Sequence, residues 1–221
     1  MSFTNLIWLV VLGSFAPVSA FHPADTSMLA ASYAATALMS ASPEPSIEVL
    51  AQRDRVGSLL AAEAPDMAEE MAQALATTIV DEARTADLDP MFVMAMIAVE
   101  SNFKMSSVSQ RGASGLMQLM PQTRKWMMER EVDLQFSDEE PTVRDVRLGI
   151  RYYSFLLKVF HRPERALAAY NCGPTRIVDL TKAGLEMPAE TKAYPKRVFK
   201  AHNRFAQDFT KRTKNPVLAV R

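Results

Sequence analysis

Residues 89–101 have the sequence DPMFVMAMIAVES, and this stretch predicts a buried helix. Asp89 is a residue type that caps helix N-termini, and Pro90 suits the first helical position, so the helix is expected to begin there. From Met91 to Val99 no residue is charged and every side of the helix is apolar. Such a helix lies inside a protein rather than on its surface, and this one ends at a carboxylic acid, Glu100.

Helical patterns also lie on both sides of this stretch. Apolar residues recur every third or fourth position, a spacing that places them on one face of a helix. A further helix is expected from Pro163 to Gly173, a short one over 175–183, and a last one beginning near Pro195. No sustained alternating strand pattern occurs, so the predicted class is all-α with at most a minor irregular hairpin. The two longest stripes are Met67, Met71, Leu75, Ile79 and Ala83, and Val146, Ile150, Tyr153 and Leu157.

The N-terminus resembles a cleaved export signal. An uncharged apolar run at residues 6–12 is followed by the small-residue pattern Val18-Ser19-Ala20, which predicts a signal peptide over 1–20 and cleavage before Phe21. The run has no Lys or Arg ahead of it, which is atypical of signals. A retained anchor is the alternative, but the apolar stretch of about 15 residues is shorter than the ~20 that a membrane span needs. We therefore expect an exported protein, periplasmic or otherwise, without a membrane span.

The rest of the chain divides by composition. Its 221 residues, 48% of them apolar, suffice for one packed domain with appendages. Residues 21–65 are rich in Ala, Ser and Pro and predict a tether that could include a short helix. The helical patterns place the core domain at 66–210, and 211–221 form a basic tail.

Charge and residue usage exclude several classes of function. The chain has 25 basic and 25 acidic residues, so no general attraction to nucleic acid is expected. One cysteine and three scattered histidines provide no metal-ligand spacing, and neither a metal nor a cofactor is predicted. From residue 191 onward, nine basic residues face one acidic residue, which indicates a solvated helix face or contact with an anionic partner.

Glu100 is the first candidate for chemistry. It shares a helical face with Val93, Met96 and Ile97, so burial should raise its pKa and keep it protonated near neutral pH. Such a carboxyl group can act as a general acid. A glutamate at a helix end is, however, more often exposed or salt-bridged.

Two other segments could form a pocket. In the first, Gly112 and Gly115 allow close backbone approach, and Gln118 offers donors and an acceptor for an amide or hydroxyl ligand. The second, AYNCGP at 169–174, could equally be an ordinary helix C-cap.

Four motifs together resemble the soluble lytic transglycosylase catalytic domain family. They occur in that family's order, and the likeness covers about residues 66–207. The motifs are ESNF at 100–103, SQRGASGLMQLMPQT at 109–123, AYNCGP at 169–174 and ETKAY at 190–194.

The resemblance implies a lysozyme-like fold and cleavage of the β-1,4 bond between N-acetylmuramic acid and N-acetylglucosamine in peptidoglycan. It implies that Glu100 first protonates the leaving oxygen and then accepts the proton of the muramoyl O6 hydroxyl, which attacks C1 and closes a 1,6-anhydro ring. It also implies sugar binding by a set of cleft residues, namely Ser109, Gln118, Met120, Tyr170, Asn171, Glu190 and Tyr194. Peptidoglycan strands are the expected partner, for general wall turnover or for a dedicated role beside an envelope-spanning machine.

The chain departs from the family pattern at a few positions. Cys172 replaces a usual Ala and is expected to be a packed thiol with no catalytic role. Pro195 replaces a branched apolar residue, and because proline disfavours helical geometry in the residue before it, Tyr194 is expected in an extended link ahead of the last helix. Its hydroxyl is expected to reach Glu100. Ser107 replaces a common Ala, which should be neutral.

Two alternatives remain at this point. The first is hydrolysis, as in the similar goose-type lysozymes, with a second carboxylate positioning water; Asp138, Glu139 and Glu140 are the candidates, although a solvated acidic loop is the simpler interpretation. The second is a non-catalytic module that binds the wall or assists assembly.

Overall fold

The computed structural model describes residues 44–131 and 139–214, with side chains to residue 210. The predicted signal peptide, most of the predicted tether and the end of the basic tail lie outside these residues. Within the described ranges the chain forms eight helices. They are α1 (Ile47–Glu63), α2 (Glu69–Thr85), α3 (Pro90–Ser101), α4 (Pro121–Arg130), α5 (Pro141–Phe160), α6 (Pro163–Cys172), α7 (Pro174–Lys182) and α8 (Ala189–Lys214).

Helix starts follow local chemistry closely. Five of the eight described helices begin with a proline. The first N–H of a helix has no partner within the helix, so proline, which has no backbone N–H, loses no hydrogen bond there. At α3 the Asp89 carboxylate accepts a 2.9 Å hydrogen bond from the Met91 N–H, as expected for the cap. At α5 a Glu140 carboxylate oxygen does the same for the Val143 N–H. The all-α class confirms the sequence prediction, and α3 and α6 begin at the prolines where they were predicted, Pro90 and Pro163.

Helix α3 is the centre of the core. Residues 91–97 are all buried, and the helix packs along α8 on one side and against α2 on another. The other described helices surround this centre through the pairs α1·α2, α2·α5, α5·α6 and α6·α8. Between α3 and α4, isolated bridges link Val108 to Ser114 and Ser114 to Leu119, which is the minor irregular hairpin that the sequence allowed.

The predicted tether contains a helix, which the sequence prediction allowed. Over residues 47–63, α1 is a 17-residue helix that starts at the cap Ser46 and packs on α2. Val56 and Leu60 on α1 are fully buried, so this helix belongs to the core and the folded unit begins near residue 47 rather than 66.

The start of the last helix is also corrected. We expected it near Pro195, with Tyr194 in an extended link, but α8 begins at Ala189 and Pro195 lies inside it. An internal proline costs about 3 kcal/mol through a lost hydrogen bond and a clash. Burial of Thr191, Tyr194 and Val198 on one face of α8 opposes that cost and keeps the helix continuous.

An ion-pair network joins α2 to α5. The Glu82 carboxylate is 4% exposed and pairs with both Arg147 and Arg151. The two arginines also bind Glu139 and Glu131, respectively. Because each buried charge has a partner, the network fixes how these two helices pack.

The role of α1 in the core can be tested by removing one buried side chain. Leu60→Ala should lower the free energy of unfolding by about 2–5 kcal/mol, because the residue is fully buried and a cavity would remain. Leu50→Ala on the same helix, where the side chain is 45% exposed, is the control and should have little effect. Urea unfolding of both variants provides the measurement, and equal small effects would mean that α1 lies outside the core.

Candidate active site

Glu100 lies at the C-terminal end of α3, where the chain leaves the core. Asn102 and Phe103 both have positive φ, 49° and 61°, so the backbone turns sharply after the helix. The Phe103 side chain is buried against the Phe205 ring of α8, with ring centroids 6.0 Å apart. This contact fixes the turn, and Glu100 projects into a cavity of about 500 Å³.

A hydrogen bond across the fold holds the Glu100 carboxyl group. The Tyr194 hydroxyl donates to Glu100 Oε1 at 2.6 Å, which confirms the expected contact even though Tyr194 is helical. The tyrosine itself is 1% exposed, so its ring is fixed by packing and not by solvent.

Burial dominates the titration of Glu100. Loss of hydration raises the pKa of this carboxyl from 4.5 to about 7, the direction the apolar stripe of α3 predicts. The Tyr194 hydrogen bond and the Arg197 charge lower the pKa, and the Glu190 charge raises it. Near neutral pH both the acid and the carboxylate are therefore populated, which suits a group that both donates and accepts a proton.

All seven cleft residues predicted from the resemblance line the cavity that contains Glu100. The loop before α4, the C-terminal end of α6 and the start of α8 bring them together, although they are spread over 86 positions of the chain. A neighbouring cavity of about 240 Å³ shares Gln118, Met120, Tyr170 and Asn171 with the first, so the cleft continues past Tyr170.

Several of these side chains hold the site as well as line it. Both Nε2 hydrogen bonds of Gln118 go to loop carbonyls, at Ser107 and Gly115, so only its Oε1 is left to serve a ligand. The Tyr170 hydroxyl donates to the Met117 carbonyl at 2.8 Å. Asn171 Oδ1 accepts from the Thr191 hydroxyl at 3.3 Å, which links α6 to α8. These contacts stiffen the cavity wall before any ligand binds.

The cavity is also lined by two arginines that are not among the predicted cleft residues, Arg111 and Arg197. Arg197 follows Tyr194 by three residues, a spacing that places both on one helical face. This spacing in the sequence could have identified Arg197 as a cavity residue, but only if α8 was expected to continue through Pro195.

Of the acidic cluster at 138–140, neither Glu139 nor Glu140 lines the cavity that contains Glu100. Asp138 is outside the described residues, Glu139 pairs with Arg147, and Glu140 caps α5. Glu140 is exposed just before α5, as the interpretation of a solvated loop predicts, and Glu139 is partly exposed. The cavity's own second carboxylate is Glu190.

Cys172 lines the neighbouring cavity and packs partly against the core. Burial raises the pKa of its thiol, so it remains a poor nucleophile, as expected of a packed thiol. In the described residues no cluster of metal-ligand type occurs, and no helix is long and apolar enough to cross a membrane.

The fold and this cavity define a lysozyme-like, all-α domain with a half-buried glutamate at a cleft. Residues 77–185 match the family model "Transglycosylase SLT domain", and the chain therefore contains such a domain. This confirms the family resemblance. The fourth motif, with Glu190 and Tyr194, lies beyond the matched range.

Solved structures agree with this assignment. An inactive variant of the lytic transglycosylase Slt from Pseudomonas aeruginosa, in which one Glu is replaced by Gln, is 30% identical over 60% of this chain and 24% of its own, with a TM-score of 0.51. The 70 kDa soluble lytic transglycosylase of Escherichia coli shares the fold at 20% identity, over 73% of this chain and 29% of its own, with a TM-score of 0.51. A complex of the 70 kDa soluble lytic transglycosylase with bulgecin A is 20% identical over 73% of this chain and 29% of its own, with a TM-score of 0.52. The chain thus spans less than a third of these proteins.

Titration of Glu100 should make stability depend on pH. Folded, the carboxyl loses its proton near pH 7; unfolded, it does so near 4.5. Between these values the folded state binds more protons, so the free energy of unfolding falls as pH rises. The Glu100→Gln substitution removes this effect. Above the window between pH 4.5 and pH 7, the free energy of unfolding of the variant should therefore exceed that of wild type by up to about 3 kcal/mol.

Urea unfolding on both sides of the window measures this difference. Wild type and variant should converge at the acidic end, where Glu100 is neutral in both states. A difference that is the same at both ends would show that Glu100 has an ordinary pKa.

Proposed function

We propose that this protein is an exported murein lytic transglycosylase that cleaves the β-1,4 bond between N-acetylmuramic acid and N-acetylglucosamine. The observation that supports it most is Glu100, a carboxyl with a pKa of about 7 in a large cavity, bound by a buried tyrosine hydroxyl. The family match and the relatives named lytic transglycosylases support the substrate class. The catalytic domain under this proposal comprises residues 47–210.

The proposed reaction needs one carboxyl group used twice. Protonated Glu100 gives its proton to the glycosidic oxygen, and the bond to C1 breaks as the N-acetylglucosamine 4-hydroxyl leaves. The muramoyl O6 then bonds to C1, and its proton passes to the Glu100 carboxylate. The acid is regenerated, no water is consumed, and the product has a 1,6-anhydro ring.

The remaining cavity residues are proposed to bind sugar. Ser109 and Asn171 offer polar groups, Met120 an apolar surface, and Gln118 its free carbonyl oxygen. Tyr170 acts mainly through the loop it holds. No cofactor is required by this scheme, and glycan strands are the proposed partner.

Hydrolysis is the second candidate, and Glu190 is the observation that favours it. This carboxylate lines the cavity and is close enough to raise the pKa of Glu100. A second carboxylate could position a water molecule on the opposite face of the sugar. Transglycosylation is preferred because Glu190 is exposed to solvent at the start of α8 and has no structural feature that would make it hold one water molecule against the sugar. A non-catalytic module is disfavoured, since a binding cleft has no need of a half-buried acid with a raised pKa, which lowers the stability of the folded state.

The first prediction from this proposal is that Glu100→Gln abolishes cleavage of purified sacculi. The amide keeps the shape of the side chain but cannot donate the proton, so the rate should fall by at least about 100-fold. Mass spectrometry of the released muropeptides is the measurement. Wild type should give anhydro products, each lighter than the hydrolysed product by one water molecule.

The controls separate the candidates. If wild type releases hydrolysed products, and if their formation also requires Glu190, the reaction is hydrolysis and the proposed transglycosylation is wrong. Cleavage by Glu100→Gln at the wild-type rate would remove Glu100 from the mechanism, provided circular dichroism shows both proteins folded.

The second prediction concerns the tyrosine. Tyr194→Phe should slow turnover by roughly 10-fold, the equivalent of one lost hydrogen bond, because the carboxylate form of Glu100 would lose its donor. Tyr153→Phe removes a hydroxyl from an equally buried tyrosine that does not line the cavity, and its turnover should be unchanged. Equal rates for the two variants would show that the Tyr194 hydroxyl has no catalytic role.

A further inference from the structure

Helix α8 presents three cavity residues on a single face. Glu190, Tyr194 and Arg197 are spaced by four and three positions, so their side chains lie one above another. The two charged residues, of opposite sign, flank the tyrosine that binds Glu100. The face therefore places one negative and one positive group near the same carboxyl.

Arg197 contacts the tyrosine directly. Its guanidinium carbon lies 5.8 Å from the centroid of the Tyr194 ring, within the range of a cation–π interaction. The Tyr194 hydroxyl is in turn 2.6 Å from Glu100 Oε1. A chain of contacts thus runs from Arg197 through the ring to the acid, in addition to the direct attraction between opposite charges.

We propose that Arg197 is a positioning residue for the reaction: it holds the Tyr194 ring and stabilises the carboxylate that Glu100 becomes after it has donated its proton. The inference rests on the proposed function and adds a residue to it. Arg197 is exposed at the mouth of the cavity, so its charge can act without being buried. Arginine suits this place because its planar cation stacks on an aromatic ring and keeps its charge at any relevant pH.

The other groups around Glu100 do not substitute for it. From α8, Glu190 opposes Arg197, raising the pKa of Glu100, while Tyr194 and Arg197 both lower it. From α6, Tyr170 stays neutral, because burial raises the pKa of its hydroxyl well above the usual value. Arg111, from the loop before α4, also lines the cavity, but its charge acts on the Cys172 thiol. Arg197 is thus the cation that acts on Glu100 among the residues described.

The test compares three variants. Arg197→Gln removes the charge and the stacking, Arg197→Lys keeps the charge without the planar group, and Lys196→Gln removes a neighbouring exposed charge that does not line the cavity. The quantity measured is the pH profile of anhydro-muropeptide formation, with kcat and KM obtained separately.

Arg197→Gln should lower kcat by about 5-fold at the acidic plateau, because the carboxylate is less stabilised. It should also move the alkaline limb to higher pH, because Glu100 keeps its proton longer. KM should change little. Arg197→Lys should restore the position of the limb, and Lys196→Gln should match wild type. An unmoved limb, or a raised KM with unchanged kcat, would overturn the inference and make Arg197 a substrate-binding or merely structural residue.

An NMR titration of the Glu100 carboxyl in the free protein separates this inference from the proposed function. Arg197→Gln should raise the pKa of Glu100 whichever product the enzyme makes. If wild type releases hydrolysed products, the proposed function fails while the titration still tests Arg197. If wild type makes anhydro products and the pKa of Glu100 does not change, the inference about Arg197 fails by itself.

Discussion

The hydrogen bond between Tyr194 and Glu100 is the interaction on which the arrangement of the site depends. The two residues are 94 positions apart and belong to α3 and α8, so the 2.6 Å contact exists only when both helices are packed together. That packing buries residues 91–97 and, on α8, Val198 and Phe205. The packing of α3 against α8 therefore forms both the core and the site, and a substitution that weakens this packing should disturb both.

Opposing effects balance at Glu100. Burial favours the neutral acid, while a hydroxyl donor and a nearby cation favour the carboxylate, and the result is a pKa of about 7. A group that must give up a proton and then take one back works best when neither state is strongly preferred. The raised pKa of Glu100 also lowers the stability of the folded state above neutral pH. The protein thus keeps an unfavourable environment for the carboxylate at the site where the chemistry is proposed.

Sequence patterns predicted those features that depend on neighbouring residues. Prolines and caps marked helix starts, and the apolar run of α3 indicated both its burial and the raised pKa of Glu100. A prediction failed where tertiary contacts override local preference: Pro195 should interrupt a helix, yet buried neighbours keep α8 intact. Because the last helix was expected to begin only near Pro195, Arg197 was not predicted to share a face with Tyr194. The motifs placed the cleft residues correctly in one cavity, but not the internal bonds that occupy Gln118 and Tyr170.

The order of the site residues along the chain has a consequence for synthesis. Glu100 is made early, whereas Glu190, Tyr194 and Arg197 all belong to α8, the last of the described helices. A nascent chain that ends before residue 189 contains the acid without its hydrogen-bond donor, and it leaves one side of α3 without its packing partner. The proposed wall-cleaving centre is therefore assembled only when translation has passed α8, and incomplete chains lack it.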